Sequence, residues 1–283
     1  MKVWIDGRIV DGAEARIPVT DHGFLYGDGV FDAMRAYGRR IFRFDEHMAR
    51  LETGLKALHL HVEGGMARLR EIVEATIDAH ERPDCYVRII VTRGEGSLGV
   101  DPSTCAAPRV VCIVDDIAVF PPEALQAGIA LVTASIRRPP ADVLDPRVKS
   151  LNYLNNVLAK HEARARGADE ALILNHAGLV AEASVANVFA FLGPELCTPP
   201  PSDGALAGIT RRAVMELAAA QGTRVSERSL GRFDLLGADE VFLTGTGARI
   251  VPVRSLDGEP IGTGRCGPRT RALVTALDAL VRA

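Results

Sequence analysis

The spacing of hydrophobic positions changes several times along the chain, and each change marks an element. Residues 3–11 and 30–44 read as strands and turns. Met48, Leu51, Leu55 and Leu58 then recur at intervals of three or four, which predicts a helix over 45–58, and a second helix is predicted over 66–80. YVRIIVT (86–92) and RVVCIVDDI (109–117) are β-branched runs bounded by glycine and proline, the pattern of strands. Phe120-Pro121-Pro122 breaks the periodicity, and GIALVTASI opens a second unit after it. That unit carries a helix after Lys149, strands at EALILN and LVAEASVANVFAFL, a helix over 210–221, the strand EVFLTG and a closing helix from Pro268. The mixture predicts an α+β chain with a small α/β domain over 1–117, a linker at 118–127 and a larger domain over 128–283.

Composition narrows the function classes. With 283 residues, 47% hydrophobic and 24% charged, the chain can bury one large core or two smaller ones. A formal net charge of -3, with arginines scattered among 36 acidic residues, offers no basic face for nucleic acid. The N-terminal MKVWIDGRIVDG reads as a strand and a turn rather than a signal segment, and no run has the length of a membrane span. The expectation is a cytoplasmic protein with no membrane partner. Five cysteines, Cys85, Cys105, Cys112, Cys197 and Cys266, lack CxxC spacing and predict reduced thiols, and the seven histidines form no HExxH pattern. Neither a disulfide framework nor a metal site is expected.

Of the 33 basic residues only four are lysine: Lys2, Lys56, Lys149 and Lys160. A chain that uses arginine for charge keeps lysine where guanidinium cannot serve, as an amine that loses its proton and acts as a nucleophile. RVKSLNYLNN puts Lys149 at the mouth of the predicted helix, whose buried face would carry Leu151, Leu154 and Leu158 and whose cap would be Ser150 or Asn152. The helix dipole and burial would both disfavour an ammonium there, leaving the neutral amine that Schiff-base chemistry with a carbonyl cofactor requires. An exposed lysine before a helix is the alternative. Glu182 is an acid inside the apolar run LVAEASVANVF. It is either paired, for instance with the protonated pyridine nitrogen of pyridoxal phosphate, or turned to water on an edge strand.

Three further stretches could hold an anion. In LAGITRRAVMELA, Gly208 leads into a helix whose first N–H groups, from Ile209 and Thr210, make an anion site with a hydroxyl beside it; otherwise Thr210 is only the cap. Gly245-Thr246-Gly247 can aim amides and a hydroxyl at a phosphate or carboxylate, or be a plain turn. Arg50 can bind a phosphate with two donors, or pair with Glu46 one helical turn earlier. Tyr26 rides on the glycine turn of DHGFLYGDGVF, whose spacing matches no nucleotide loop.

Taken in order, DHGFLYGDGVF, FRFDEHMARL, VTRGEGSLGVDP, KSLNYLNNVLAK, VAEASVANVF, GITR, FLTGTGARIVPV and GPRTRAL resemble the fold-type IV, or class IV, pyridoxal-phosphate aminotransferases. Among them the branched-chain amino-acid aminotransferases are most similar, over nearly the whole chain. The resemblance implies an N-terminal α/β sandwich domain and a C-terminal pseudo-barrel domain, with pyridoxal 5'-phosphate between them, in a homodimer or an assembly of dimers. It implies that Lys149 is the Schiff-base lysine and proton shuttle, that Glu182 meets the pyridine nitrogen and that Tyr153 hydrogen-bonds the phenolic oxygen. The phosphate would be held by Arg50, by Ile209 and Thr210 after Gly208, and by Thr246. The substrate α-carboxylate would meet the turn amides at Thr246 and Gly247, with Tyr26 nearby. Phe31, Tyr86 and Val100 would line the side-chain pocket, Val100 across the subunit interface, and Arg88 would meet the distal carboxylate of glutamate. The implied reaction moves an amino group from leucine, isoleucine or valine to 2-oxoglutarate, so the partners are small amino acids and 2-oxo acids.

The chain also departs from that pattern. FDAMR has Asp32-Ala33 where the branched-chain pattern reads Glu-Gly, and one added methyl can shift discrimination by about 1 to 3 kcal/mol. D-amino-acid aminotransferases share KSLN, but their Arg-x-His carboxylate pair would fall at Leu98-Gly99-Val100. Aminodeoxychorismate lyase shares the fold and the lysine without a GTG turn of this kind, and a non-catalytic protein would bind the cofactor without turnover.

Overall fold

The computed structural model describes residues 1–116 and 120–282. Two compact units divide the chain, Met1–Ile117 with Val148–Asn152, and Ala118–Arg147 with Tyr153–Ala283. Of the stretch expected as a linker, positions 118 and 119 lie outside the described residues.

The first unit is an antiparallel sheet with helices on one face. Its strands are β1 (Lys2–Ile5), β2 (Arg8–Asp11), β3 (Gly29–Tyr37), β4 (Arg40–Ile41), β5 (Cys85–Thr92) and β6 (Arg109–Asp115), in the order β2-β1-β6-β5-β3-β4. The period of two sorts each strand: Val30, Met34 and Ala36 of β3 and Cys85, Val87, Ile89 and Val91 of β5 enter one core. Covering that face are α2 (Phe44–Ala57) and α3 (Gly65–Asp78), which contribute Met48, Leu51, Leu55, Leu69, Ile72, Val73 and Ile77 at helical spacing. The turn that carries Tyr26 is a short helix, α1 (His22–Tyr26), ended by Gly27 at φ 69, a left-handed position where a Cβ would also press on Asn152. Val148–Asn152 return to this unit. Ser150 bridges Val30, Phe31 N donates to Lys149 O at 2.9 Å, and Leu151 N donates to Gly29 O at 2.9 Å, so residues 149–151 lie along the edge of β3 away from β5.

The second unit is built on a larger sheet. Its strands are β7 (Ile129–Thr133), β8 (Glu170–Leu174), β9 (Val180–Ala183), β10 (Asn187–Leu192), β11 (Glu195–Thr198), β12 (Arg224–Glu227), β13 (Glu240–Gly245), β14 (Arg249–Leu256) and β15 (Glu259–Pro260). They run β12-β11-β10-β13-β14-β7-β8-β9, with β15 beside β14. Because β9 ends the row, β10 sits inside it and only residues 184–186 join them, the sheet must curl; Ala183 N donates to Ala186 O at that turn. The curled sheet encloses a core of Leu131, Leu172, Val188, Leu243, Val251 and their neighbours. Helices α4 (Pro122–Ala127), α5 (Ala141–Leu144), α6 (Leu154–Ala165), α7 (Ile209–Ala220), α8 (Arg232–Leu236) and α9 (Pro268–Arg282) complete the unit. The α+β class and the pseudo-barrel architecture expected from the sequence are thus observed. LVAEASVANVFAFL, read as one strand, is two, because Ser184, Val185 and Ala186 turn the chain.

Helix α6 differs most from expectation. It starts at Leu154 with Tyr153 as its N-cap, and its buried face is Asn156, Ala159 and Ala163. Leu154 is 68% exposed and Leu158 47%. The small residues face inward because α6 packs closely over Ala171 and Ile173 of β8, where leucine would not fit.

All five cysteines are free. Burial pushes the Cys85 thiol up to about 11 and the Cys112 thiol to about 12. Thiolate is the reactive form, so iodoacetamide at about pH 8 should leave both unlabelled in the native protein and label them after denaturation. Peptide mapping that found native Cys112 modified as fast as denatured Cys112 would contradict this burial.

Candidate functional site

In the first unit, Lys149 sits on an extended segment rather than at a helix mouth. Four residues separate it from the first turn of α6, and a dipole acts over about one turn, so the expected field from the helix does not reach it. Ser150 and Asn152 are not the cap; Ser150 Oγ accepts from Asn152 N, and Asn152 Nδ2 donates to Gly27 O. What orients Lys149 is β3: its carbonyl is fixed by Phe31 N, and its Nζ stands 4.5 Å from the centre of the Phe31 ring. The Arg88 guanidinium lies 4.8 Å from the same ring centre, and its Nη2 is 3.5 Å from the Tyr86 hydroxyl. Ala33 pairs with Arg88 across β3 and β5, so the added methyl lies beside that arginine. One aromatic wall therefore carries an amine and a guanidinium. Tyr26 receives a hydrogen bond on its hydroxyl from Gly99 N at 2.7 Å, which ties α1 to the loop bearing Val100, itself 80% exposed.

The opposite face of β3 presents Asp32 to α2. Arg50 donates from Nε to Asp32 Oδ2 at 2.8 Å and from Nη2 to Oδ1 at 2.9 Å, while His47 Nδ1 lies 2.7 Å from Oδ1 and Ala33 N donates to it. Burial would push the Asp32 carboxyl up. The Arg50 charge and the hydrogen bonds from His47 and Arg50 outweigh it and hold the carboxyl well below the usual carboxylate range. Arg50 thus makes a buried pair with Asp32, while Arg43 Nη1 lies 3.3 Å from Glu46.

In the second unit, Glu182 of β9 is buried and its carboxylate is surrounded by donors. Arg138 Nη2 reaches Oε1 at 3.0 Å, and Asn187 Nδ2 and Leu206 N each reach Oε2 at 3.1 Å. Arg138 arrives because the chain beyond β7 runs along β8, where Arg138 N donates to Leu174 O, while Glu182 pairs with Ile173 on the other side of that strand. Asn155 and Asn156 at the start of α6 accept from Arg138 Nη1, and Asn156 Nδ2 donates to Ser184 O. The open alternative of an edge glutamate facing water is excluded. Tyr153 is the N-cap of the helix that supplies both asparagines.

The cap of α7 is Gly208, in extended conformation, so Thr210 is not the cap but the second helical residue, buried with Ile209. A Cβ at Gly208 would collide with Asn187 Oδ1, so glycine lets the helix start approach the strand that holds Glu182. Thr246 and Gly247 lie in the turn between β13 and β14, closed by the pairing of Gly245 with Arg249. Within the first unit the structure brings Lys149, Phe31, Tyr86 and Arg88 together; within the second it gathers Glu182 and Gly208 around Asn187. Sequence reading missed Arg138 and His47, and saw Asp32 only as a departure. A buried acid needs a counter-charge, and that need was the available signal for Arg138. Among the described residues no cluster of His, Cys, Asp and Glu could hold a metal, and no helix is long and apolar enough to cross a membrane.

The chain is similar to known proteins over nearly its whole length. The putative branched-chain-amino-acid aminotransferase of Methanocaldococcus jannaschii is 43% identical over 96% of this chain and 94% of its own length. The D-alanine aminotransferase of Bacillus licheniformis is 34% identical over 98% of this chain and 96% of its own. Among solved structures, the branched-chain amino acid aminotransferase of Escherichia coli superposes with a TM-score of 0.95 at 34% identity, covering 99% of this chain and 94% of that one. The T.th. enzyme of the same name, complexed with N-(5'-phosphopyridoxyl)-L-glutamate, gives 0.92 at 35%, covering 100% and 95%. The family profile described as amino-transferase class IV matches residues 29–256, which span both the strand under Lys149 and the turn at Thr246. The chain belongs to the class IV aminotransferases.

Proposed function

We propose that this chain is a pyridoxal 5'-phosphate-dependent transaminase acting on L-leucine, L-isoleucine and L-valine, with 2-oxoglutarate as the acceptor. The observation that carries it is the Phe31 ring with Lys149 Nζ at 4.5 Å and the Arg88 guanidinium at 4.8 Å. An apolar wall with a cation at its rim suits a pocket that must accept an aliphatic side chain in one half-reaction and a carboxylate in the other.

The residues present fit the cofactor. Three donors converge on Glu182 as on an anion, the state that can hold a proton on a pyridine nitrogen. When bound, pyridoxal 5'-phosphate supplies an electron-withdrawing ring that stabilises negative charge at the substrate α-carbon. Lys149 Nζ would hold the cofactor and, as a free amine, would move the proton at the substrate α-carbon. Tyr153 donates to the phenolic oxygen. Arg50, the first amides of α7 at Ile209 and Thr210, and Thr246 bind the phosphate. The amides at Thr246 and Gly247, with Tyr26, orient the substrate carboxylate; Phe31, Tyr86 and Val100 exclude water from its side chain, and Arg88 binds the distal carboxylate of the acceptor. We read the protein as a homodimer or an assembly of dimers, because Val100, Leu154, Val157 and Leu158 leave apolar surface exposed.

The resemblance to a D-alanine aminotransferase keeps D-amino acids as the second reading. A coupled assay across L-leucine, L-isoleucine, L-valine, D-alanine and aminodeoxychorismate separates them. Turnover of the three L-substrates is expected; activity confined to D-alanine, or pyruvate release from aminodeoxychorismate, would replace the first reading.

A further inference from the structure

We propose that Asp32 and His47 are positioning residues for the phosphate arm of the site: they fix the plane of the Arg50 guanidinium, and through it the grip on the cofactor phosphate. The inference rests on the cofactor reading above and goes beyond it, since that reading gives neither residue a role. A guanidinium on a flexible stem loses conformational freedom when it binds, and a second ion pair made beforehand removes much of that loss. Asp32 is fully buried and His47 almost so, and the Arg50 side chain is 13% exposed, so the pair works where water screens little. Asp32 engages one edge of Arg50 through Nε and Nη2 and thereby sets the direction of the remaining nitrogen. His47 lies one turn before Arg50 on α2 and bonds Oδ1, so the carboxylate cannot rotate to follow the arginine.

The strand gives the arrangement a further consequence. Phe31 and Ala33 flank Asp32 and point to the other face of β3, toward Lys149 and Arg88. One strand thus sets the phosphate arm on one side and the wall beside the reactive amine on the other.

The test compares two ligands on the whole apoprotein: pyridoxal 5'-phosphate, and pyridoxal, which lacks the phosphate. Asp32→Asn should weaken binding of the phosphorylated ligand at least about tenfold, the scale of a lost charged hydrogen bond, and leave pyridoxal affinity unchanged. In an Arg50→Ala background the same substitution should add nothing. His47→Leu, which removes one donor and leaves Asp32 paired with Arg50, should show a smaller loss with the same selectivity and covers the case in which Asp32→Asn melts too early to assay. Equal affinity of Asp32→Asn and wild type for pyridoxal 5'-phosphate, a proportional loss for both ligands, or an undiminished effect in the Arg50→Ala background would overturn the proposal. Wild-type protein that binds neither ligand would instead refute the cofactor reading itself.

Discussion

Lys149→Ala should abolish transamination, with kcat falling on the order of 10⁴-fold or more, because the other cation on the Phe31 ring, the Arg88 guanidinium, cannot serve as an amine nucleophile. The fold should hardly notice. The contacts that anchor residues 149–151 to β3 are backbone bonds, Phe31 N to Lys149 O and Leu151 N to Gly29 O, and alanine keeps both. A melting temperature within a few degrees of wild type is therefore expected together with the loss of activity. Borohydride reduction of the wild-type holoprotein followed by peptide mapping should put the cofactor mass on the peptide containing Lys149, and on none in the variant. Lys149→Arg separates charge from chemistry: it preserves a cation over the Phe31 ring but supplies no nucleophile, so it should be as inactive as alanine. Turnover in either variant within a hundredfold of wild type would remove Lys149 from the mechanism.

How far the sequence carried depends on the range of the forces involved. Periodicity found α2, α3, α7 and α9 within a few residues, and β5 and β6 as well, since each has one face buried against its own unit. It failed for α6, where the inward positions are Asn156, Ala159 and Ala163 and the leucines point outward. A helix whose close packing demands small residues carries its apolar side chains on the wrong face for such a reading. The site followed the same rule. Lys149 and Glu182 were legible as residues out of keeping with their surroundings, a rare lysine and an acid in an apolar strand. The buried charge pairs were not: Arg138, which meets Glu182, sits in the unremarkable run SIRRPP, and the Asp32–Arg50 pair joins a strand to a helix 18 positions later. Charge pairs of this kind are fixed by strand register and helix phase, which no local pattern encodes. The helix dipole argument for Lys149 failed for a related reason, because pairing with β3 keeps residues 149–151 extended and delays the helix to Leu154.

The largest expected effect on stability lies at Arg138. Arg138→Leu removes the cation from a buried pair with Glu182, to which Asn187 Nδ2 and Leu206 N also donate, and it takes away the donor that Asn155 and Asn156 accept from. Breaking such a pair costs about 3–5 kcal/mol, because the surviving charge stays buried without its partner. Glu182→Gln makes the instructive contrast: the amide oxygen can still accept from Arg138, and the volume is unchanged, so the fold should lose less than it does in Arg138→Leu. Activity should nonetheless fall, since a neutral amide cannot hold a proton on the pyridine nitrogen as a carboxylate does. The double variant Arg138→Leu with Glu182→Leu should recover part of the stability lost by Arg138→Leu, as both buried charges then disappear together, while remaining inactive. Denaturant unfolding of the four proteins beside their turnover numbers measures both effects. If Arg138→Leu unfolds at the wild-type midpoint, the pair is not the electrostatic anchor that its burial and 3.0 Å separation indicate. If the double variant is no more stable than Arg138→Leu, the cost lies in lost packing around Arg138 rather than in a stranded carboxylate.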